Sequence, residues 1–268
     1  MTLLRSLGLA VTAVVVLVAP ASSLAGTQAE EPPTPTVLEA TPEEVEKLTA
    51  AVEKAYAEKD TNLLAEALLL MDTHSDESFK PIIKKALSSK KKKVQAFAIR
   101  AAASHQMEDV KKQVLKLLKA SKKGKKKKKK GAGVTSGVVA ASAVDYLARL
   151  AIEGVEVEVL EQLDRLFLVE SRMTASYAND LVRAAVHYLG QTKNMSAVPR
   201  LVEMLPEPKP ANPNAANNPP ATYWEARYKI WQASEGWVRW ALKEITGQEY
   251  RTHREWKAWV EQHKKDFK

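Results

Sequence analysis

The residues best suited to proton transfer or metal binding at neutral pH are five histidines: His74, His105, His187, His253 and His263. No two stand four apart, the spacing that places both imidazoles on one helical metal face, and His253 to His263 is too wide for one. The chain has no cysteine, so a zinc site would need histidines and carboxylates alone. "SHQMED" (Ser104 to Asp109) offers a hydroxyl, an imidazole and acids, but at an expected turn between helices, where such residues cap. "GAGV" (Gly131 to Val134) has neither the preceding strand nor the lysine spacing of a phosphate loop and is expected to be a flexible hinge. These patterns give no catalytic residue, no metal, no cofactor and no small-molecule substrate, so the chain is not expected to be an enzyme.

Charge is the other chemistry on offer. Residues 79 to 130 hold 20 Lys or Arg against Glu108 and Asp109, a local net of +18 in a chain whose total is +9, so the remainder is net negative. Two dense stretches make this belt: Lys90, Lys91, Lys92 and Lys93, then Lys122, Lys123, Lys125, Lys126, Lys127, Lys128, Lys129 and Lys130. Such lysines repel one another and cannot pack, so 122–134 is expected to be a solvated loop insertion. The same cations could contact an anionic polymer or a membrane surface. The belt lacks interleaved aromatic rings, so bare phosphate-like groups would suit it better than bases.

The N-terminus bears on compartment. Arg5 is the only charge before Glu30, and "LGLAVTAVVVLVA" (Leu7 to Ala19) is shorter than the roughly 20 residues a spanning helix needs. With Pro20 and the small residues of "SLA" (Ser23 to Ala25), residues 1–25 are expected to be a cleaved signal peptide, and the mature chain to be periplasmic or extracellular. Residues 26–40, rich in Pro, Thr and Glu, are expected to be a disordered linker.

From residue 41 the pattern is helical. Thr41, Pro42 and Glu44 form a capping box ahead of a helix to about Lys59, whose stripe is Val45, Leu48, Val52 and Ala55. Four similar hairpins follow. Leu68, Phe79, Ile83 and Leu87 align with Ile99, Val110, Val114 and Leu118 at an offset of 31. A third unit matches Val144, Val155, Val159 and Leu163 at about 45, and a fourth matches Val182, Val198 and Val202 at a further 38 to 39. No hairpin buries enough area alone, so the expected fold is all-α, an α-solenoid of stacked hairpins over 41–205.

The paired helices, with "AIRAAA" (Ala98 to Ala103) or "LVRAAV" (Leu181 to Val186) first and "VLKLL" (Val114 to Leu118) or "LVEML" (Leu201 to Leu205) second, resemble HEAT repeats. The end, "WALKEITGQEYRTHREWKAWVEQHKKDF", is similar to the C-terminal closure of exported bacterial HEAT-repeat proteins. The resemblance spans about Asn62 to Lys268. It implies a protein-binding scaffold, with the groove of the second helices as the expected contact surface. The chain lacks a clear second-helix Asp/Arg ladder.

Residues 206–221, with six prolines, are expected to be an extended loop before a Trp-rich helical cap over 222–268. There Thr222 and Glu225 would cap a helix through Trp231, a break is expected at Ser234 to Gly236, Gly247 would end the next helix, and Thr252 with Glu255 would cap the last. Trp224, Trp231, Trp237, Trp240, Trp256 and Trp259 are expected to pack as core over the open end of the stack, with an aromatic binding surface as the other reading. The function expected is an exported, non-catalytic scaffold for an unidentified protein partner, the alternatives being a polyanion-binding module on belt 79–130 or an enzyme-associated domain.

Overall fold

Thr41 and Glu44 exchange two hydrogen bonds: Glu44 N–H donates to Thr41 Oγ1 (3.3 Å) and Thr41 N–H to Glu44 Oε2 (2.8 Å). With Pro42 at the first position, this opens α1 (Pro42–Glu58), which buries Leu48, Val52 and Ala55 as its spacing predicts. A computed structural model describes residues 36–122, 132–167 and 170–267. The signal-peptide reading, most of the linker and Lys123 to Lys130 lie outside them. The linker reading fails at its described end: β1 (Leu38–Glu39) pairs in parallel with β2 (His74–Ser75), Leu38 opposite His74.

The rest is helical. Asp60 caps α2 (Thr61–Met71) by accepting from Asn62 and Leu63 N–H. Next come α3 (Phe79–Leu87), α4 (Lys92–Ser104), α5 (Lys111–Lys122), α6 (Ala132–Arg149), α7 (Glu156–Phe167) and α8 (Glu170–Met173). The series closes with α9 (Ala178–Gln191), α10 (Val198–Glu203), α11 (Ala221–Thr246) and α12 (His253–Gln262). The insertion 122–134 is therefore too wide, because Lys122 ends α5 and Ala132, Gly133 and Val134 begin α6 rather than a hinge.

Packing follows the hairpin pattern. The leading helices α2, α4, α6, α9 and α11 each lie against the next, while α3, α5, α7 and α10 pack on the leading helix of the following unit. Leu68, Ile99 and Val144, aligned from sequence, are all fully buried, as are Ile83, Val114 and Val159. A buried donor joins each unit to the one before. His105 Nε2–H donates to Met71 O (2.9 Å), Tyr146 O–H to Met107 O (2.7 Å) and Tyr188 O–H to Ile152 O (2.9 Å).

These bonds correct the fourth unit's register. Gln106, Ala151 and Lys193 take the left-handed conformation (φ 50°, 45° and 48°) where α4, α6 and α9 end. After each, an N–H reaches back five residues: Met107 to Ala102 O, Ile152 to Leu147 O and Asn194 to Leu189 O. Ala151 to Lys193 is 42 residues, so Val186, not Val182, is the counterpart of Val144, and Leu201 and Leu205 those of Val159 and Leu163. The error is about one helical turn, which leaves the same face buried.

The C-terminal end departs from expectation twice. Pro220, extended at φ −60° and ψ 159°, precedes the helix, so Thr222 stands at the second helical position and does not cap it. No break occurs at Ser234 to Gly236, since Ser234 O–H, buried, donates to Ile230 O at 2.7 Å and α11 runs on for 26 residues. Gly247 does end α11 at φ 68°, and Thr252 with Glu255 does cap α12. Gly236 thus sits inside a helix with open space where a Cβ would stand. Gly236→Ala is expected to raise stability by about 0.5–1 kcal/mol, measured by urea unfolding.

Burial lowers the pKa of His105, against the pull of its bond to Met71 O. The unfolded chain takes up this proton near pH 6.5 and the folded chain only at lower pH, so the stabilisation is complete above about pH 6.5 and lost as pH falls below it. The melting temperature should drop on acidification through that range, and His105→Gln should flatten the drop.

Candidate functional site

Charged side chains in the middle of Ala-rich helices need partners, and this fold supplies them across units. Asp72, at the end of α2 and 4% exposed, receives Arg100 Nε and Nη2 (both 3.0 Å), Ser104 O–H (2.7 Å) and Arg149 Nη1 (3.2 Å). Arg149 also donates to Ser104 Oγ (3.0 Å) and pairs through Nη2 with Asp145 (2.9 Å). One carboxylate therefore ties α2, α4 and α6 together. Burial pushes the Asp145 carboxyl pKa up, Arg149 and Arg100 pull it down, and Asp72 adds to the rise.

Beside this network lies a cleft of about 310 Å³, lined from α4, α6, α9 and α11. In the corrected register its lining comes from equivalent positions of successive leading helices: Arg100, Asp145 and His187; Ala96, Ala141 and Arg183; Arg149 and Gln191. The small side chains of α4 and α6 leave the space, and the large ones of α9 border it. Arg183 Cζ sits 4.4 Å above the Trp237 ring, and His187 meets that ring edge-on at 5.8 Å. Tyr177 closes one side because Gly137 has no side chain: a Cβ there would stand 2.1 Å from the Tyr177 ring. Among the lining residues, the buried Arg149 Nε and Gln191 Oε1 have no hydrogen-bond partner.

The contact surface expected from sequence is on the second helices, whereas this cleft lies on the leading-helix face, where the polar residues of α4, α6 and α9 converge. The Asp/Arg ties are also on leading helices. Among the histidines only His187 lines the cleft, and no group of three His, Cys, Asp or Glu among the described residues could hold a metal ion. No helix among them is long and apolar enough to cross a membrane.

The expected lysine site lies elsewhere. Lys90, Lys91 and Lys93 are exposed where the chain enters α4, and no carboxylate among the described residues pairs with them. Lys92 Nζ donates to Gln95 Oε1 (2.9 Å). Among the described residues the belt's ion pairs are Lys80–Glu77, Lys84–Asp109, Arg100–Asp72 and Lys119–Glu158. Of the tryptophans, Trp240, Trp256 and Trp259 are buried. Trp224, Trp231 and Trp237 are half-buried; Trp231 Nε1–H donates to Leu205 O (2.9 Å), and Trp237 alone reaches the cleft.

Comparison with known protein families, with curated proteins and with solved structures returned no match.

Proposed function

We propose that the chain is an exported, non-catalytic HEAT-like helical-repeat scaffold that binds a protein partner on its leading-helix face. The observation that carries this reading is the cleft itself, where register-equivalent positions of successive units present arginines, carboxylates and aromatic rings on one surface. Repeat stacks offer extended concave surfaces of this kind, and interface anchors are enriched in Arg and aromatic residues. Export rests on the N-terminal pattern of residues 1–25.

Site-specific photocrosslinking tests the reading. A benzophenone amino acid at Phe97, which lines the cleft, is expected to capture a protein from a cell-envelope extract, and the same probe at Lys112 on α5 is not. Capture only from position 112 would move the binding face to the second helices and overturn the reading.

Lys90, Lys91 and Lys93, exposed and without an ion-pair partner among the described residues, favour a second reading, contact with a polyanion. It requires affinity that falls steeply with salt and a flatter dependence once these lysines are neutralised.

A further inference from the structure

We propose that the segment bound in the cleft is an acidic peptide, with one carboxylate seated on Arg183 and the backbone C=O and N–H of a neighbouring residue meeting Arg149 and Gln191. The proposal rests on the protein-binding reading above and specifies its chemistry.

Arg183 is the cleft cation whose charge is not spent inside the protein. Arg100 and Arg149 are committed to Asp72 and Asp145, whereas Arg183 is exposed and joins no ion pair among the described residues. Its Cζ lies 4.4 Å over the Trp237 ring, a contact that restrains the guanidinium while its N–H groups can form the paired bonds that carboxylates accept. Asp180, one turn earlier on α9, also lines the cleft and is not paired with Arg183. It would repel a second nearby carboxylate, so the site suits one acidic residue in a neutral stretch rather than a polyanion.

The unpartnered atoms supply an independent observation. Arg149, with a side chain 10% exposed, keeps Nε–H without an acceptor, and Gln191 keeps Oε1 without a donor. These residues occupy equivalent positions on adjacent helices, α6 and α9. A donor and an acceptor on one wall suit a single extended residue, whose own C=O and N–H point to the same side: the C=O would accept from Arg149 and the N–H would donate to Gln191. Packed helices stand about 8–10 Å apart and an extended chain advances about 3.3 Å per residue, so a peptide crossing the stack meets a new helix roughly every three residues.

The test measures fluorescence anisotropy of a labelled nonapeptide, central Leu-Glu-Leu in a Gly/Ser frame, against versions carrying Gln or Lys in place of Glu. The Glu peptide is expected to bind about ten- to a hundredfold more tightly than the Gln peptide, the range a charge-assisted hydrogen bond adds. Arg183→Gln should erase that preference without changing the melting temperature, since the side chain is exposed. Gln191→Leu should weaken the Glu and Gln peptides alike. No saturable binding of the Glu peptide at millimolar concentration, equal affinity for Glu and Gln, or a Glu preference that survives Arg183→Gln would each overturn the proposal. The last result would assign the grip to the lysine belt. Capture from Phe97 without any Glu preference would leave the protein-binding reading standing and remove only the acidic peptide.

Discussion

Deletion of residues 222–268 is expected to abolish cooperative unfolding and cause aggregation on warming. These residues cover the last leading helix: α11 packs along α9, and the Trp240 ring lies so close to Gly190 that a Cβ there would stand 2.4 Å from it. The second helix α10 is covered by α11 and α12, and its Leu201 and Val202, with Leu205 just beyond it, are buried together with Val186 and Leu189 of α9. Uncovering five such side chains, at roughly 1.5–3 kcal/mol each, costs about as much as the whole stability of an ordinary domain, ~5–15 kcal/mol. A terminal repeat without a cap has this difficulty generally. Circular dichroism with light scattering during a melt checks it. A truncated chain that melts like the full one would show that α11 and α12 do not close the core.

Asp72→Asn should be the most damaging single polar substitution, at about 3–5 kcal/mol by urea unfolding, the cost of leaving a buried ion-pair partner uncompensated. The asparagine keeps the size of the side chain and can still meet Ser104, but Arg149, nine-tenths buried, is left with Asp145 as its only carboxylate among the described residues. Arg100→Gln should cost less, because that side chain is 38% exposed and water can replace part of what it loses. A loss below about 1 kcal/mol for Asp72→Asn would mean that the network adds little beyond its geometry.

The parts of the fold legible in the sequence are those written in local chemistry. The capping boxes Thr41…Glu44 and Thr252…Glu255 form, each satisfying two helix-end N–H groups, whereas Thr222…Glu225, with the same spacing, does not, because the helix already begins at Ala221. The aligned Leu68, Ile99 and Val144 are buried because burial follows helical periodicity. The continuity of α11 was not legible: a Ser and a Gly suggest a break, and only the bond from Ser234 back to Ile230 shows how the helix carries them. The fourth unit's register was hidden because a slip of one turn preserves the apolar face.

The cleft was missed for the same reason. Arg100 follows Ile99 and Asp145 follows Val144, but His187 joins their row only when Val186 replaces Val182 in the alignment. A usable signal did exist: charged residues in the midst of "AIRAAA" and "AVDYLARL" cannot be idle on helices this rich in buried alanine. The lysine run drew attention by its density, yet density marks solvation as readily as contact.

Binding on the leading-helix face is tested most directly by amide hydrogen exchange of the full chain, alone and in complex with the protein captured by the Phe97 photoprobe. Added protection is expected in α4, α6 and α9, the helices that line the cleft, with α3 and α5 unchanged. Protection confined to α3, α5 and the lysines at the entry to α4 would contradict it and place the working surface on the basic belt.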